Sequence, residues 1–376
     1  MKKRLFICCF FVLMGFIISC SDAGVQADEF GLDREDEKEL DNSKLDLDKV
    51  EDETELDENE GDLDDEEDEE DEEDEDTELK TVLLNASVLS ETEIVLEFSF
   101  PVTLLSISLS FDPDLEFETI EEGSIITLIL EDEIKPGLRF NVELDAEDEQ
   151  DIFFSEQIEL ISVNRRPPEL LINELRTEYT SASGRSEFIE FKIITGGNLG
   201  GLRVFAAGNV NPLIYEFKPV EVNAGDYVVL HLRTLDPSSV DEYDDDLSLS
   251  GGRDASPHAR DLWIPGSTKL LRKTDAVYVM DLDDNVLDAV MLALTPASSW
   301  SNVRLAEAAE FLHKEGAFTS ADGGICSPAD AVSTADIGTS LTRSISRDEN
   351  AENSRTAADW YVTATGNFSP GEPNKP

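Results

Sequence analysis

Beyond residue 81, apolar side chains recur at every second position, and that period constrains the fold more than any other feature. Ile94, Leu96, Phe98 and Phe100 alternate with Glu93, Val95, Glu97 and Ser99. Leu105, Ile107, Leu109 and Phe111 alternate with Ser106, Ser108 and Ser110, and Phe140, Val142 and Leu144 with Asn141, Glu143 and Asp145. A strand sends successive side chains to opposite faces, so each run predicts a half-buried strand. Ile125 to Leu130 is apolar on both faces and predicts a more central strand. Lys135-Pro136-Gly137 is expected to turn the chain into Phe140, and a last strand is expected near Gln157 to Val163. Short strands at this spacing, with no helical pattern, predict a small β-sandwich over 81–165.

A second unit is expected over 168–376, after Arg165-Arg166-Pro167-Pro168, which reads as a stiff linker because paired prolines favour extended backbone. Strands are predicted at Leu170 to Leu175, Glu187 to Ile194, Leu202 to Ala206 and Asp226 to Leu232. A hairpin should join Ala276–Asp281 to Leu287–Leu292 through Asp283-Asp284-Asn285. Residues 241–265, rich in Asp, Ser and Gly, read as a long surface loop inserted in this unit. Residues 302–315 predict its one short helix, with Ser299 and Ser301 as candidate N-caps and Gly316 as the stop. Its apolar stripe is read as Val303, Leu305, Ala306, Ala309 and Leu312, packed over one open end of the sandwich. The expected fold class is all-β, with two β-sandwiches in tandem.

The chain carries 85 Asp and Glu against 29 Lys and Arg, a net charge of −56. Residues 21–80 hold 33 of those acids, five Lys or Arg and one aromatic residue, Phe30. Such a segment cannot bury enough apolar surface to offset its ordering entropy, so residues 20–80 are expected to form a disordered acidic stalk. Self-repulsion should extend it beyond the ~45 Å of a neutral coil, within a contour of roughly 200 Å. Three roles fit the same residues: a solvated spacer, a weak and unselective Ca2+ binder, or a docking tail for a basic partner. Beyond residue 80 the chain holds 52 acidic and 21 basic residues, a surface that repels phosphate, and nucleic-acid binding is excluded.

Lys2-Lys3-Arg4 precedes an uncharged run, Leu5 to Ile18, broken only by Gly15. As a helix that run spans about 21 Å, short of the ~30 Å hydrocarbon core, and reads as a signal segment over 1–19. It ends at Ile17-Ile18-Ser19-Cys20, which resembles the lipobox of bacterial lipoproteins, with Ile17 where Leu is usual. The resemblance implies cleavage before Cys20 and a diacylglyceryl group on its thiol, so the membrane is the expected partner through that anchor. Ser21 is not an inner-membrane retention signal, which points to the outer membrane, at its periplasmic face or the cell surface.

Two further resemblances cover the rest. Leu96-Glu97-Phe98-Ser99-Phe100-Pro101-Val102 and Ile134-Lys135-Pro136-Gly137-Leu138-Arg139-Phe140 resemble bacterial Ig-like domains, with Asp148-Glu149-Gln150-Asp151 where that family has Asp-x-x-Gly-Asn. The second unit resembles the lamin-tail domain, an Ig-like β-sandwich. The matching residues are Leu171-Ile172-Asn173-Glu174-Leu175, Glu187-Phe188-Ile189-Glu190-Phe191, Gly201-Leu202, Ser340-Leu341-Thr342-Arg343, Asp359-Trp360 and Ser369-Pro370-Gly371-Glu372-Pro373-Asn374. Ile193-Ile194 replaces the Asn usual after the second strand. Both resemblances imply Ig-like sandwiches that serve as spacers, docking modules or companions to other domains.

No catalytic, cofactor or metal residues are predicted. His231 reads as a packed or edge residue beside Tyr227 and Val229, His258 sits in the loop and His313 near the helix end, none at metal-ligand spacing. Asp281-Leu282-Asp283-Asp284-Asn285 would need Gly at Val286 and Glu at Leu292 to be an EF-hand, and reads as a hairpin turn. Gly252-Arg253-Asp254 is not an Arg-Gly-Asp. Once Cys8 and Cys9 leave with the signal and Cys20 is alkylated, Cys326 is the one remaining thiol and is expected to be inert. The expected function is a non-catalytic binding, adhesion or scaffold module with a protein or matrix ligand. The runner-up is a low-affinity Ca2+ binder acting through the stalk, and a hydrolase with an unrecognised site ranks last.

Overall fold

The computed structural model describes residues 80–111 and 113–376, and it is all-β apart from one α-helix and three single 3₁₀ turns. The expected signal segment 1–19, the expected lipid attachment at Cys20 and the expected acidic stalk up to residue 79 lie outside the described residues. Among the described residues no helix is long and apolar enough to cross a membrane.

The first sandwich holds seven strands: β1 (Leu83–Ser90), β2 (Glu93–Phe98), β3 (Val102–Leu109), β4 (Phe117–Glu122), β5 (Ile125–Leu130), β6 (Arg139–Asp148) and β7 (Phe153–Ile161). Sheet β1-β2-β5-β4 packs on sheet β3-β6-β7, and every pairing is antiparallel. Ile94, Leu96 and Phe98 from β2 and Ile126, Leu128 and Leu130 from β5 meet Phe140, Val142, Leu144 and Ala146 from β6 in one core. At about 25 cal/mol per Å² of apolar surface removed from water, this alternation is what holds the two sheets together.

Three details depart from expectation. A register shift between Leu104 and Ser106 places a bulge in β3, so Leu105 turns outward at 51% exposure while Leu104 and Ile107 pack on the core. One extra residue flips the alternation that follows it. β5 lies inside its sheet as predicted, but only one face is covered, leaving Ile125 and Ile129 partly exposed. Phe100 falls past the end of β2 and is exposed.

The second sandwich begins with β8 (Glu169–Arg176), β9 (Phe188–Thr195), β10 (Gly197–Asn198), β11 (Arg203–Ala206), β12 (Leu213–Glu216), β13 (Glu221–Val222) and β14 (Tyr227–His231). It continues with β15 (Arg260–Trp263), β16 (Asp275–Met280), β17 (Val286–Ala293), α1 (Val303–Lys314), β18 (Val332–Ser333), β19 (Ile345–Arg347) and β20 (Trp360–Val362). A six-stranded sheet, β15-β14-β9-β8-β19-β20, and a five-stranded sheet, β12-β11-β16-β17-β18, share one large core, with β10 and β13 forming a small ribbon beside it. Both edge pairings β14–β15 and β17–β18 are parallel, unlike a simple antiparallel sandwich.

Within the stretch read as a surface loop, 241–265, Arg260–Trp263 is a strand of the main sheet. Its charges hid it: Arg260 and Asp261 are buried because the Arg260 guanidinium reaches the carbonyls of Glu242 and Asp244, and Asp261 pairs with His231. The helix is where it was expected, but its cap is Asn302, whose side-chain oxygen accepts the Arg304 N–H at 3.1 Å, not Ser299 or Ser301. Val303 is 66% exposed, and Leu305, Ala308, Ala309 and Leu312 form the buried stripe. The helix lies against β16 and β17, with Phe311 beside Tyr278, rather than over an open end. Gly316, at φ +65°, ends it.

The linker is bound on both sides. Asn164 Nδ2 donates to the carbonyls of Asn198 (2.8 Å) and Gly200 (2.9 Å), and the Arg166 carbonyl accepts the Asn198 N–H. Arg139 of the first sandwich makes two 2.6 Å bonds to Glu216 of the second. Gly137, at φ +65°, sits so close to Gly200 that a Cβ would fall 2.0 Å from its carbonyl carbon. Any side chain at Gly137 would force the two sandwiches apart.

Candidate functional site

A dense polar cluster sits in the six-stranded sheet, where acids interrupt apolar strands. Glu174 of β8 and Glu190 of β9 face each other in register, beside a register shift between Ile172 and Glu174. Both are fully buried. Glu174 accepts the Ser369 N–H at 3.1 Å on each oxygen, together with the hydroxyls of Ser344 and Ser346. Glu190 accepts the Gly371 N–H at 2.6 Å and Asn173 Nδ2 at 2.8 Å. Glu349 accepts Asn173 Nδ2, the Asn374 N–H and the Lys192 ammonium. Asn374 Nδ2 in turn donates to the carbonyls of Asn173 and Arg347, at 3.0 Å each.

Burial pushes Glu174 up to about 7, and burial together with the charge of Glu174 holds Glu190 well above the usual carboxylate range. Two carboxylates facing each other out of water cannot both ionise cheaply. Glu349 goes the other way: burial raises it, but hydrogen bonds from Lys192 and Asn173 outweigh that and lower it. A catalytic acid or base must reach a substrate proton, at roughly 2.6–3.2 Å. Glu174 and Glu190 have no surface exposure, and they fasten the Ser369 and Gly371 N–H groups to the sheet.

A cavity of about 80 Å3 opens beside Glu349, lined among others by Leu171, Asn173, Lys192, Ile194 and Asn353. Ligand pockets for drug-sized molecules run to roughly 300–1,000 Å3. The Lys192 ammonium there is engaged by Glu349. Behind it, Arg347 joins the two sheets: its Nη2 meets Asp288 of β17 at 2.6 Å and its Nε the Ile172 carbonyl of β8 at 2.8 Å, over the Trp360 ring.

The residues singled out from the sequence lie apart from one another. His231 is buried, stacked on Trp263 with 3.7 Å between ring centroids, and its Nε2 meets Asp261 at 2.7 Å. His258 is exposed and His313 half-buried. Cys326 is buried, and burial with the charge of Asp330 pushes its thiol up to about 12, which makes the thiolate scarce at neutral pH. Asp281 Oδ1 accepts the N–H groups of Asp283 and Asn285 at 2.9 Å, the geometry of a turn. Asp254 pairs with the buried Arg176 at 2.7 Å. Among the described residues no group of three or more His, Cys, Asp or Glu could hold a metal ion. Cys20, the predicted lipid attachment site, lies outside the described residues.

In the sequence Glu174, Glu190 and Asn374 stand only as parts of the lamin-tail resemblance, which gives them no role. The available signal was an acid in the middle of an apolar strand, as in Ile172-Asn173-Glu174-Leu175 and Phe188-Ile189-Glu190-Phe191. A buried charge needs a partner, and these partners lie 181 and 195 positions away.

Fold and site together define an all-β protein of tandem sandwiches whose second unit is closed by its own C-terminal segment. The chain belongs to the family described as TP_1001_2nd, protein second domain, whose model matches residues 168–362. An uncharacterized protein of Treponema pallidum (strain Nichols) is 31% identical over 172 residues, which is 42% of each chain, so this chain spans less than half of that relative. Among solved structures, the N-terminal part of the bacterial S-layer protein SbsC is similar at 15% identity and a TM-score of 0.21, over 39% of this chain and 45% of that one. A DUF4876 family protein from Bacteroides thetaiotaomicron VPI-5482 is similar at 11% identity and a TM-score of 0.24, over 70% and 89%. At these scores the likeness identifies no function.

Proposed function

We propose that the chain is a lipid-anchored module of a bacterial cell envelope, tethered through Cys20, whose two sandwiches bind or scaffold and do not catalyse. One observation carries the non-catalytic part. Glu174 and Glu190, buried acids of the kind a hydrolase would use, hold backbone N–H groups of residues 369 and 371 and have no exposure. The lamin-tail reading of the second unit is part of the same proposal. Asn173-Glu174, Glu190 and Ser369 to Asn374, which carry that resemblance, converge on this network. The anchor rests on Lys2-Lys3-Arg4, the run to Ile18 and Cys20.

The test is digestion of cells by added protease. In cells with a permeabilised outer membrane and a sealed cytoplasm, the sandwiches should become accessible to the protease. Protection that persists until the cytoplasmic membrane is lysed would place the chain inside the cell and end this reading.

A further inference from the structure

We infer that the outer face and free edge of the β1-β2-β5-β4 sheet bind a cationic extended segment of another polypeptide, added as a strand beside β4. The placement of side chains carries this. Across β2, β5 and β4 the register sets three rows on the solvent face: Glu93–Ile129–Glu118, Val95–Thr127–Ile120 and Glu97–Ile125–Glu122. Four glutamates hold the corners, and Val95, Ile120, Ile125 and Ile129 surround Thr127 at the centre, with Ile120, Ile125 and Ile129 exposed by 47%, 39% and 38%. Between Lys80 and Lys135 there is no Lys, Arg or His, against twelve Asp or Glu. The patch therefore has an anionic frame, and among the described residues none of its four glutamates is in a salt bridge, Arg165 pairing with Glu91 instead.

The edge supplies the second half. β4 ends its sheet, and among the described residues no strand pairs with its other side, where the start of β3 touches only the far end, the Val102 N–H donating to the Gly123 carbonyl and the Leu104 N–H to the Glu121 carboxylate at 3.2 Å each. The Glu131 N–H bonds the Glu116 carbonyl at 3.0 Å. Antiparallel pairing alternates, so Glu118, Ile120 and Glu122 face β5 while Phe117, Thr119 and Glu121 point their N–H and C=O groups away from the sheet. Unpaired groups of this kind are a template for strand addition. A strand laid there sets its solvent-face side chains beside Glu118, Ile120 and Glu122, which calls for cation, aliphatic, cation at alternate positions. A second copy of this chain fails that requirement: β4 against an antiparallel β4, with the two Ile120 residues facing, puts Glu118 opposite Glu122. The partner is a different, basic polypeptide.

The proposal rests on the chain being a binding module and adds the partner's chemistry. Its test uses the full chain and the end-blocked peptide Thr-Lys-Thr-Val-Thr-Lys-Thr, labelled for fluorescence anisotropy. The expected result is saturable binding that weakens about tenfold in Thr119→Pro, which removes one outward N–H and no ladder bond. Glu118→Lys with Glu122→Lys should reverse the preference towards Thr-Glu-Thr-Val-Thr-Glu-Thr. A peptide N-methylated at alternate residues, on the face that meets β4, should bind as poorly as the proline variant binds the parent peptide. Equal affinity across these variants and peptides would assign the binding to the acidic stalk and overturn the proposal. Such a failure leaves the envelope location, tested separately by digestion, untouched.

Discussion

Replacing Arg347 by alanine should destabilise the second sandwich by about 3–5 kcal/mol, the cost of leaving a buried charge without its partner. For a domain of this size that corresponds to a fall of roughly 10 °C in the unfolding midpoint. The guanidinium is 5% exposed and ties three elements: Asp288 of β17, the Ile172 carbonyl of β8 and Asn353 Oδ1 beyond β19. Asp288 also accepts the Ile172 N–H at 2.7 Å, so the two sheets meet through one carboxylate and one guanidinium. Burial already pushes Asp288 up to about 6 against the pull of Arg347. Without Arg347 the carboxyl must take up a proton or stay charged in a site with no cation. Adding Asp288→Asn to the variant should therefore restore part of the loss. Calorimetry of the three variants checks this, and a midpoint shift below 2 °C for Arg347→Ala would contradict a cross-sheet role.

The second large effect is on pH. Glu174, Glu190, Asp275 and Asp288 are all raised in the folded state, each chiefly by burial. An acid raised on folding contributes stability that is fully present below its unfolded value and is lost as pH rises through its folded value. For Glu174 that window runs from about 4.5 to about 7. At 1.36 kcal/mol per pKa unit the loss from this one group is on the order of 3 kcal/mol. The net negative charge of the chain repels itself more as pH rises and acts in the same direction. The second sandwich should thus be more stable near pH 5 than near pH 8, and Glu174→Gln should flatten that slope. Urea midpoints across the range provide the measurement. A slope of the opposite sign, or one unchanged in Glu174→Gln, would show that the facing carboxyls do not govern it.

Much of the architecture was legible because burial imposes period two on any strand with one wet face. β2, β9, β14 and the hairpin β16–β17 fall within a residue or two of where the sequence put them, and β6 runs three residues further. β4, with sequence FETIEE, did not announce itself, because an edge strand with little core contact keeps almost any polar residue. β15 was hidden by Arg260 and Asp261, whose burial depends on Glu242, Asp244 and His231 elsewhere in the chain. The bulge at Leu105 and the cap at Asn302 were single-residue choices among equally plausible neighbours.

The carboxyl network was hidden for a different reason. Its acids were visible, but their partners belong to the last eight residues of the chain, and no local pattern pairs positions so far apart. Tertiary placement turns what sequence would offer as candidate acids into fastenings. The same placement produces the frame of four glutamates on the first sandwich, whose corners come from β2 and β4 and are invisible as a unit in the linear chain.

The most direct test of the central claim is the membrane attachment of the full chain and its Cys20→Ala variant in a bacterial host. After detergent phase separation, the unaltered chain should enter the detergent phase and carry two or more acyl chains, because one alone binds only marginally. The variant should move to the aqueous phase with an unmodified mass. Equal partition of both, or an unaltered chain without acyl mass, would contradict the anchor and with it the assignment to the envelope.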